Sequence, residues 1–415
     1  MAEVRRRVAS LFHGKGKGGG AALAVVIGDI DLVRPLALAG IRSAVMARPG
    51  DLSPYSRFTE AVLDWIDPWK TPEALVESVA RFGNDQSERP VLIYDGDGVL
   101  LAVSRHRERL REALRFVVPD ATLVEDLVDK GRFVMLADRL GLPVPRTAVL
   151  APAQSATPPD TDLLFPLVVK PRSRPMEPWK AVGRGAKAVR VNTPATLREL
   201  WPRLAELGIE VLVQELIPGP ESSIESYHAY VDDAGAIVGE FTGRKIRTYP
   251  AEGGYSTSVV ITDTADVGEL GRDILRRLDL RGVAKCDFKR APSGTLYLLE
   301  INPRFTLWHH PAARAGVNVP ALVYADLTGA PRPSFSTARA GVRWCSPRSD
   351  ARAAKAAGVP LVRWLPWALA CEAKWGLAWN DPGPLLRGML WRRFLRWLGR
   401  LRGRGTPAGG VRDTA

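Results

Sequence analysis

The first apolar runs of the chain are short and separated by turn formers: AALAVVIG over 21–28, SAVMA over 43–47 and PVLIYD over 90–95. Runs of this length read as strands, and the helical spacing over Leu32–Ala39 places a helix between the first two, so the chain opens as a βαβ unit. A charged helix is expected over Val103–Phe116. No G-x-G-x-x-G follows the first strand, which argues against a dinucleotide site there.

Further on, a helix is expected over Lys130–Leu140. The breaker GLPVP and a Pro/Ala/Thr-rich stretch over Ala151–Pro159 then mark a boundary. The pattern next predicts a strand ending in Lys170, a loop VGRGAKAVRV, a helix over Pro194–Leu207 and a strand over Glu210–Leu216 stopped by Pro218-Gly219. Strands near Ser222–Val231 and Ala236–Thr242, a loop carrying Arg244, Lys245 and Arg247, and a helix over Asp266–Leu278 follow. There is no internal repeat.

After that helix, VAKCDFKR and LYLLEINPRF flank Ala-Pro-Ser-Gly, a turn cluster of hairpin length. Strand residues two apart share a face, so Glu300, Asn302 and Arg304 project together. If Arg290 stands opposite Thr295, then Asp287 stands opposite Leu298 and joins Glu300 and Asn302 on that face. Two carboxylates and an amide are hard oxygen donors suited to Mg²⁺ and, through it, to a nucleotide. A bulge in the hairpin would turn Asp287 to the other face.

Composition adds limits. The 415 residues allow two to four domains, and 46% hydrophobic with 25% charged residues is ordinary for a globular chain. Cys286, Cys345 and Cys371 are too few and scattered for a disulfide framework or zinc cluster, which fits a reducing cytoplasm. Neither a secretory signal nor a run of membrane-spanning length is evident. Of the net charge of +13, most sits at the ends. Residues 385–415 hold eight Arg against one Asp, and residues 1–20 five Lys/Arg against one Glu. This argues for basic tails and against a specific nucleic-acid surface. The segment HGKGKGGG is not a phosphate loop, because its glycines precede the first strand and no Ser/Thr follows a Gly-Lys pair.

The succession DKGRFVMLADRLGLPVPRT, FPLVVKP, the Gly/Lys loop, VQELIPGPE and CDFKR…LYLLEINPR resembles the ATP-grasp ligases. The phrases SPYSRF, EFTGRKIRTYP, LEINPRFTLWHH and WNDPGP place the resemblance nearest the carboxylate–amine ligase branch that includes D-aspartate ligase. It implies an α/β (α+β) chain with an ATP-grasp fold, a Rossmann-like pre-ATP-grasp domain in front and a helical extension behind. On this reading residues 1–20 are a disordered basic arm and 21–128 the pre-ATP-grasp domain. Residues 129–330 form the ATP-grasp domain, with lobes over about 150–215 and 216–330. Residues 331–384 are the extension and 385–415 a basic amphipathic tail.

Carried over by position, Lys130 and Lys170, with Lys187 in the loop, resemble the lysines on the ATP phosphates. Gln214, Glu215 and Ile217 resemble the hinge beside adenine, and Glu221 the carboxylate on the ribose. Asp287, Glu300 and Asn302 resemble the Mg²⁺ ligands, with Mn²⁺ as a substitute metal. Arg304 resembles the arginine that stabilises the reacting groups, while Arg244, Lys245 and Arg247 occupy the stretch facing triphosphate or substrate. Lys285 stands where the branch carries an acid. His228, His309 and His310 read as packing residues near Trp308.

The implied reaction forms an acyl phosphate from a small carboxylate, such as an amino acid, and passes the acyl group to an amine. The rival readings are an ATP-grasp enzyme with another acyl-phosphate product, by carboxylation or carbamoyl transfer, and a nucleotide-binding protein without turnover. In the tail, Leu386, Leu390, Phe394, Leu398 and Leu401 fall on one helical stripe among arginines. That stripe either meets an anionic membrane from the cytoplasm or packs on the body of the protein.

Overall fold

The computed structural model describes residues 21–172, 179, 182–183, 188–333 and 337–391. The expected phosphate lysine Lys187 and the tail beyond 391 lie outside the described residues.

Strands β1 (Ala24–Ile27), β2 (Ser43–Met46), β3 (Thr59–Leu63) and β4 (Val91–Tyr94) form a parallel sheet in the order β3-β2-β1-β4. Every residue of β1, β2 and β4 is buried, so they read as unbroken apolar runs instead of alternating ones. Val26, Val45 and Ile93 meet helix α1 (Ile30–Leu38) on one face. Val25, Ala44 and Leu92 meet α2 (Pro72–Asn84), α3 (Asp97–Arg105) and α4 (Arg107–Ala113) on the other. The single helix expected over Val103–Phe116 is therefore two, broken at His106. Its last residues leave the helix because Arg115 pairs with the edge of β4, its N–H donating to Pro90 O at 2.8 Å.

Helices α5 (Ala121–Val128) and α6 (Lys130–Arg139) lead into an antiparallel sheet of β5 (Thr147–Leu150), β6 (Leu167–Pro171), β7 (Val189–Val191) and β8 (Val211–Glu215), ordered β5-β8-β6-β7. Helix α7 (Pro194–Glu206) covers it through Leu197, Trp201 and Leu204. Its start combines a proline at the first turn with the Thr193 side chain capping Thr196 N.

The largest sheet has the order β13-β12-β9-β10-β11-β14-β15. It contains β9 (Ile224–Val231), β10 (Ile237–Tyr249), β11 (Tyr255–Thr262), β12 (Gly282–Arg290), β13 (Leu296–Asn302), β14 (Arg343–Cys345) and β15 (Ala373–Lys374). Tyr227, Cys286, Phe288, Leu298 and Ile301 pack one face onto α6 and α8 (Ala265–Arg277). On the other face Phe241, Val259 and Trp308 join α9 (His309–Arg314) and α10 (Val319–Thr328) in a core continuous with α1 and β1.

Two readings are corrected here. Strand β10 runs on to Tyr249, so Arg244, Lys245 and Arg247 stand on a strand and not in a loop. Its partner β11, YSTSVVIT, is a strand where none is read from the pattern. Charged and hydroxyl side chains hide the alternation in this stretch, and only pairing between the two strands makes it regular.

Behind the sheet lie α11 (Pro347–Ala356) and α12 (Leu361–Ala370), and a helical turn over Pro384–Trp391 packs on Ser53–Tyr55. The fold brings the distant Cys345 and Cys371 into one small cluster as free buried thiols.

Candidate active site

The β12–β13 hairpin positions the central groups. Arg290 pairs with Leu296 and Phe288 with Leu298, after which the register shifts so that Asp287 pairs with Glu300 and Lys285 with Asn302. The register expected from the turn, with Asp287 opposite Leu298, is thus corrected, and Leu298 lies buried with Phe288 on the opposite face. The bulge adds the residue that returns Glu300 and Asn302 to the face of Asp287.

From there a chain of contacts crosses from the large sheet to the parallel one. Asn302 Nδ2 donates to Glu300 Oε1 at 3.2 Å, Arg304 Nη2 to Asn302 Oδ1 at 3.1 Å, and Arg304 Nε to Asp97 Oδ1 at 2.6 Å. Asp97 begins α3, so Arg304 ties the large sheet to the parallel one. Burial opposes the charge of Arg304, and Asp97, Asp95 and Glu300 more than restore it.

Asp287 is otherwise engaged. Lys285 Nζ donates to its Oδ2 at 2.5 Å and Ser226 Oγ to its Oδ1, all three residues being buried. Burial works against the charged carboxyl, yet Lys285 and Lys245 hold it below the usual carboxylate range. Glu300, by contrast, is exposed. The carboxylates of Glu300 and Asp287 and the amide oxygen of Asn302 are hard donors that fit Mg²⁺, with Asn302 Oδ1 accepting from Arg304 and the two oxygens of Asp287 from Lys285 and Ser226.

Across the gap, Lys170 near the end of β6 donates to Gln214 Oε1 at 3.0 Å. Burial pushes its ammonium down to about 8, Lys130 adds repulsion, and Glu300 opposes both. Lys130, at the start of α6, donates to Pro171 O at 3.0 Å. Lys170 on β6, Lys130 on α6 and the carboxylate of Glu300 on β13 therefore come within electrostatic reach.

Gln214 Nε2 donates to Thr147 Oγ1 at 2.8 Å, and Glu215 accepts from Leu164 N at 2.9 Å. The expected hinge side chains are thus tied down, with Ile217 buried beyond them. Glu221 begins a short turn within reach of buried Lys289, whose ammonium is depressed by burial and partly restored by Glu221.

The basic stretch of β10 divides. Neighbours on a strand face opposite ways, so Lys245 shares the face of Asp287 while Arg244 lies on the other, lining a hollow with Gly219, Glu225 and Arg290. Arg247 faces neither site. Its guanidinium meets Asp350 at 2.9 and 2.6 Å and lies 4.1 Å from the centroid of the Trp367 ring.

His228 and His309 are fully buried among Phe241, Trp308 and Phe305, and burial pushes His309 down to about 3 and His228 well below its ordinary value. Both are neutral packing groups. His310 differs, since its Nδ1 lies 2.6 Å from Asp31 Oδ1, which also accepts from Trp344 Nε1 at 3.0 Å.

One part of the site is absent from the sequence reading. A cavity of about 170 Å³ lies at the C-terminal ends of β1, β2 and β4, lined by Asp29, Arg48, Asp51, Trp65 and Asp95. Asp95 bridges to Phe305, next to Arg304. Burial, then Asp31 and Asp95, hold Asp29 well above the carboxylate range, and burial pushes Asp95 up to about 6. The strand order reverses between β1 and β4, the switch point where open α/β sheets accept ligands. An acid within two residues of the end of each of those strands, Asp29 and Asp95, was the available signal.

Comparison with known proteins follows this geometry. A family described as "ATP-grasp in the biosynthetic pathway with Ter operon" matches residues 209–346. The D-aspartate ligase of Enterococcus faecium is 27% identical over 53% of this chain and 54% of that protein, so this chain spans about half the length of that relative. A D-alanine–D-alanine ligase of Pseudomonas entomophila is 26% identical over 60% of this chain and 78% of that protein. Among solved structures, an L-amino acid ligase from Bacillus licheniformis superposes with a TM-score of 0.54 at 15% identity, covering 75% of each chain. An ADP complex of N5-carboxyaminoimidazole ribonucleotide synthetase gives 0.58 at 13%, covering 77% of this chain and 80% of that one. At these identities the structural likeness establishes the fold.

Proposed function

We propose that this chain is an ATP-dependent carboxylate–amine ligase of the ATP-grasp superfamily. The observation that carries the reading is the convergence of Lys170 from the smaller antiparallel sheet and Lys130 from the start of α6 with Glu300, Asn302 and Arg304 at and just past the end of β13.

ATP lies between the two sheets, its phosphates on Lys130 and Lys170, its adenine at 214–217 and its ribose near Glu221. Glu300 and Asn302, with Asp287 on the same face, would hold Mg²⁺, and the ion would shield the triphosphate charge. Asp287 acts through Lys285, presenting an ammonium on the same face where the related branch carries an acid. A substrate carboxylate oxygen forms a bond to the γ-phosphorus as the β–γ bridge bond breaks and ADP leaves. The amine nitrogen then bonds to the acyl carbon as phosphate departs, and the amine loses a proton to solvent. Arg304 and Lys170 face the charge that develops on the transferring groups. The cavity behind Arg304 offers room for a small acid bearing an amino group, with Arg48 for its carboxylate and the aspartates for its ammonium.

The basic tail adds contact with an anionic surface, a reading supported by its charge. Among the described residues, no helix is long and apolar enough to cross a membrane.

The test is ADP release over a matrix of amino acids and amine acceptors, with mass analysis of products. An amide-linked product formed with stoichiometric ADP is expected. ATP turnover that yields only carboxylated or carbamoylated products would overturn the reading.

A further inference from the structure

Helix α12, LVRWLPWALA, carries a single polar residue, Arg363, and is apolar round the rest of its circumference. Trp364 and Ala368 fill the small core with Ala354, Cys345 and Cys371, and Trp367 lies under Arg247. That accounts for one side of the helix. On the other, Leu361, Val362, Leu365 and Leu369 are 65, 80, 48 and 69% exposed, and at 100° per residue all four fall within an arc of about 100°. A helix that is apolar all round is ordinarily covered on every side.

The surrounding charge selects the cover. Arg348, Arg352 and Lys355 on the adjoining helix α11 and Arg363 on α12 are exposed. The one acid over residues 347–371, Asp350, is fully buried against Arg247 and Trp364. Trp379, farther along the chain, is fully exposed.

We infer that this face is a seat for an anionic lipid surface, separate from the basic tail. The leucines and Val362 enter the boundary between headgroups and acyl chains, the four cations meet lipid phosphates, and Trp379 sits at headgroup level. A second copy of the chain would set the same four cations against themselves. The chain's own tail would bring a net +7 to an already positive surface. The seat stands whether or not the ligase reading holds.

The experiment is co-sedimentation of the full chain with phosphatidylglycerol/phosphatidylcholine vesicles and with phosphatidylcholine vesicles alone. The double variant Leu365→Glu/Leu369→Glu is compared with the parent, alongside a tail control, Arg392→Gln/Arg393→Gln/Arg396→Gln. The parent should sediment with the anionic vesicles and lose binding as salt rises. The Glu pair should weaken binding by at least about ten-fold, since two Leu side chains leave the interface and two negative charges enter it. Because both positions are exposed, its circular dichroism and melting should match the parent. The tail control should still bind anionic vesicles, and adding the Glu pair to it should weaken that binding by about ten-fold or more. The inference is overturned if the parent ignores anionic vesicles, if the Glu pair binds as the parent does, or if the parent is a dimer in solution that the Glu pair dissociates.

Discussion

Lys170 shows how a single residue can be tuned by burial between Lys130 and Glu300. Its ammonium, depressed to about 8 by burial, is only partly charged above that pH. Triphosphate favours the charged form, so ATP affinity should be steady below pH 8 and fall as pH rises through it. Calorimetry near pH 8 in buffers of different ionisation enthalpy should show proton uptake on binding. Lys170→Ala should weaken ATP by about 2 kcal/mol and adenosine hardly at all. Glu300→Gln, at an exposed position, should abolish ADP formation while leaving the melting temperature unchanged. Asp95 makes a different prediction. With its folded carboxyl at about 6, above the ordinary value, it contributes stability at low pH that is lost as pH rises through 6. Asp95→Asn should therefore stabilise the protein by up to about 2 kcal/mol at pH 7.5 and have little effect at pH 4, as read from thermal melts across that range.

At the scale of elements, the β12–β13 hairpin and strand β10 do most of the positioning. The bulge before Phe288 lets a strand bury Phe288, Leu298 and Ile301 against α8 and still present Asp287, Glu300 and Asn302 together. Strand β10 serves three regions in four residues. Arg244 lines one hollow, Lys245 faces Asp287, and Arg247 anchors α11 and α12 through Asp350 and Trp367. Asp350 is fully buried, and Thr257 and Trp364 donate to it as well. Removing the cation leaves a buried carboxylate without a counter-charge, so Arg247→Met should cost about 3 kcal/mol in urea unfolding. Arg247→Lys should recover part of that and not all, because an ammonium cannot make the paired guanidinium contact.

The whole molecule is closed by contacts between its two ends. Asp381 is fully buried and accepts from Arg34 Nη1 at 2.7 Å, Ser56 Oγ at 2.6 Å and Arg57 N at 2.9 Å. These groups belong to the first α/β unit, so a residue near the C-terminal end completes the N-terminal one. Asp381→Ala should lower stability by about 3 kcal/mol in denaturant titration, because Arg34 stays buried with its charge unanswered. The same closure means that truncation after Pro384 should destabilise the body of the protein. The turn over Pro384–Trp391 packs on Ser53–Tyr55, and Gly388 fits there only because it has no side chain, a Cβ meeting Leu52 at 2.6 Å.

Sequence alone determined what depends on neighbours along the chain. The buried strands β1, β2 and β4, the capped helices α6 and α7, and the projection of Glu300, Asn302 and Arg304 to one side all follow from local period and turn chemistry. The order of segments carried the superfamily resemblance. Tertiary structure decided what depends on pairing at a distance. The hairpin register differs from the expected one by one residue at the turn, where Ala291 N bonds to Thr295 O and Arg290 pairs with Leu296, and by two at Asp287, where the bulge adds a residue whose place is fixed by which side chains the helices behind it bury. Strand β11 escaped notice because Ser and Thr become strand residues only when β10 and β14 lie beside them. The opposite facing of Arg244 and Lys245, the capture of Asp287 by Lys285, and the cavity of Asp29, Arg48 and Asp95 arise from strands brought together across the chain. No window of local sequence holds both members of such a pair, so their geometry is set only when the sheets close.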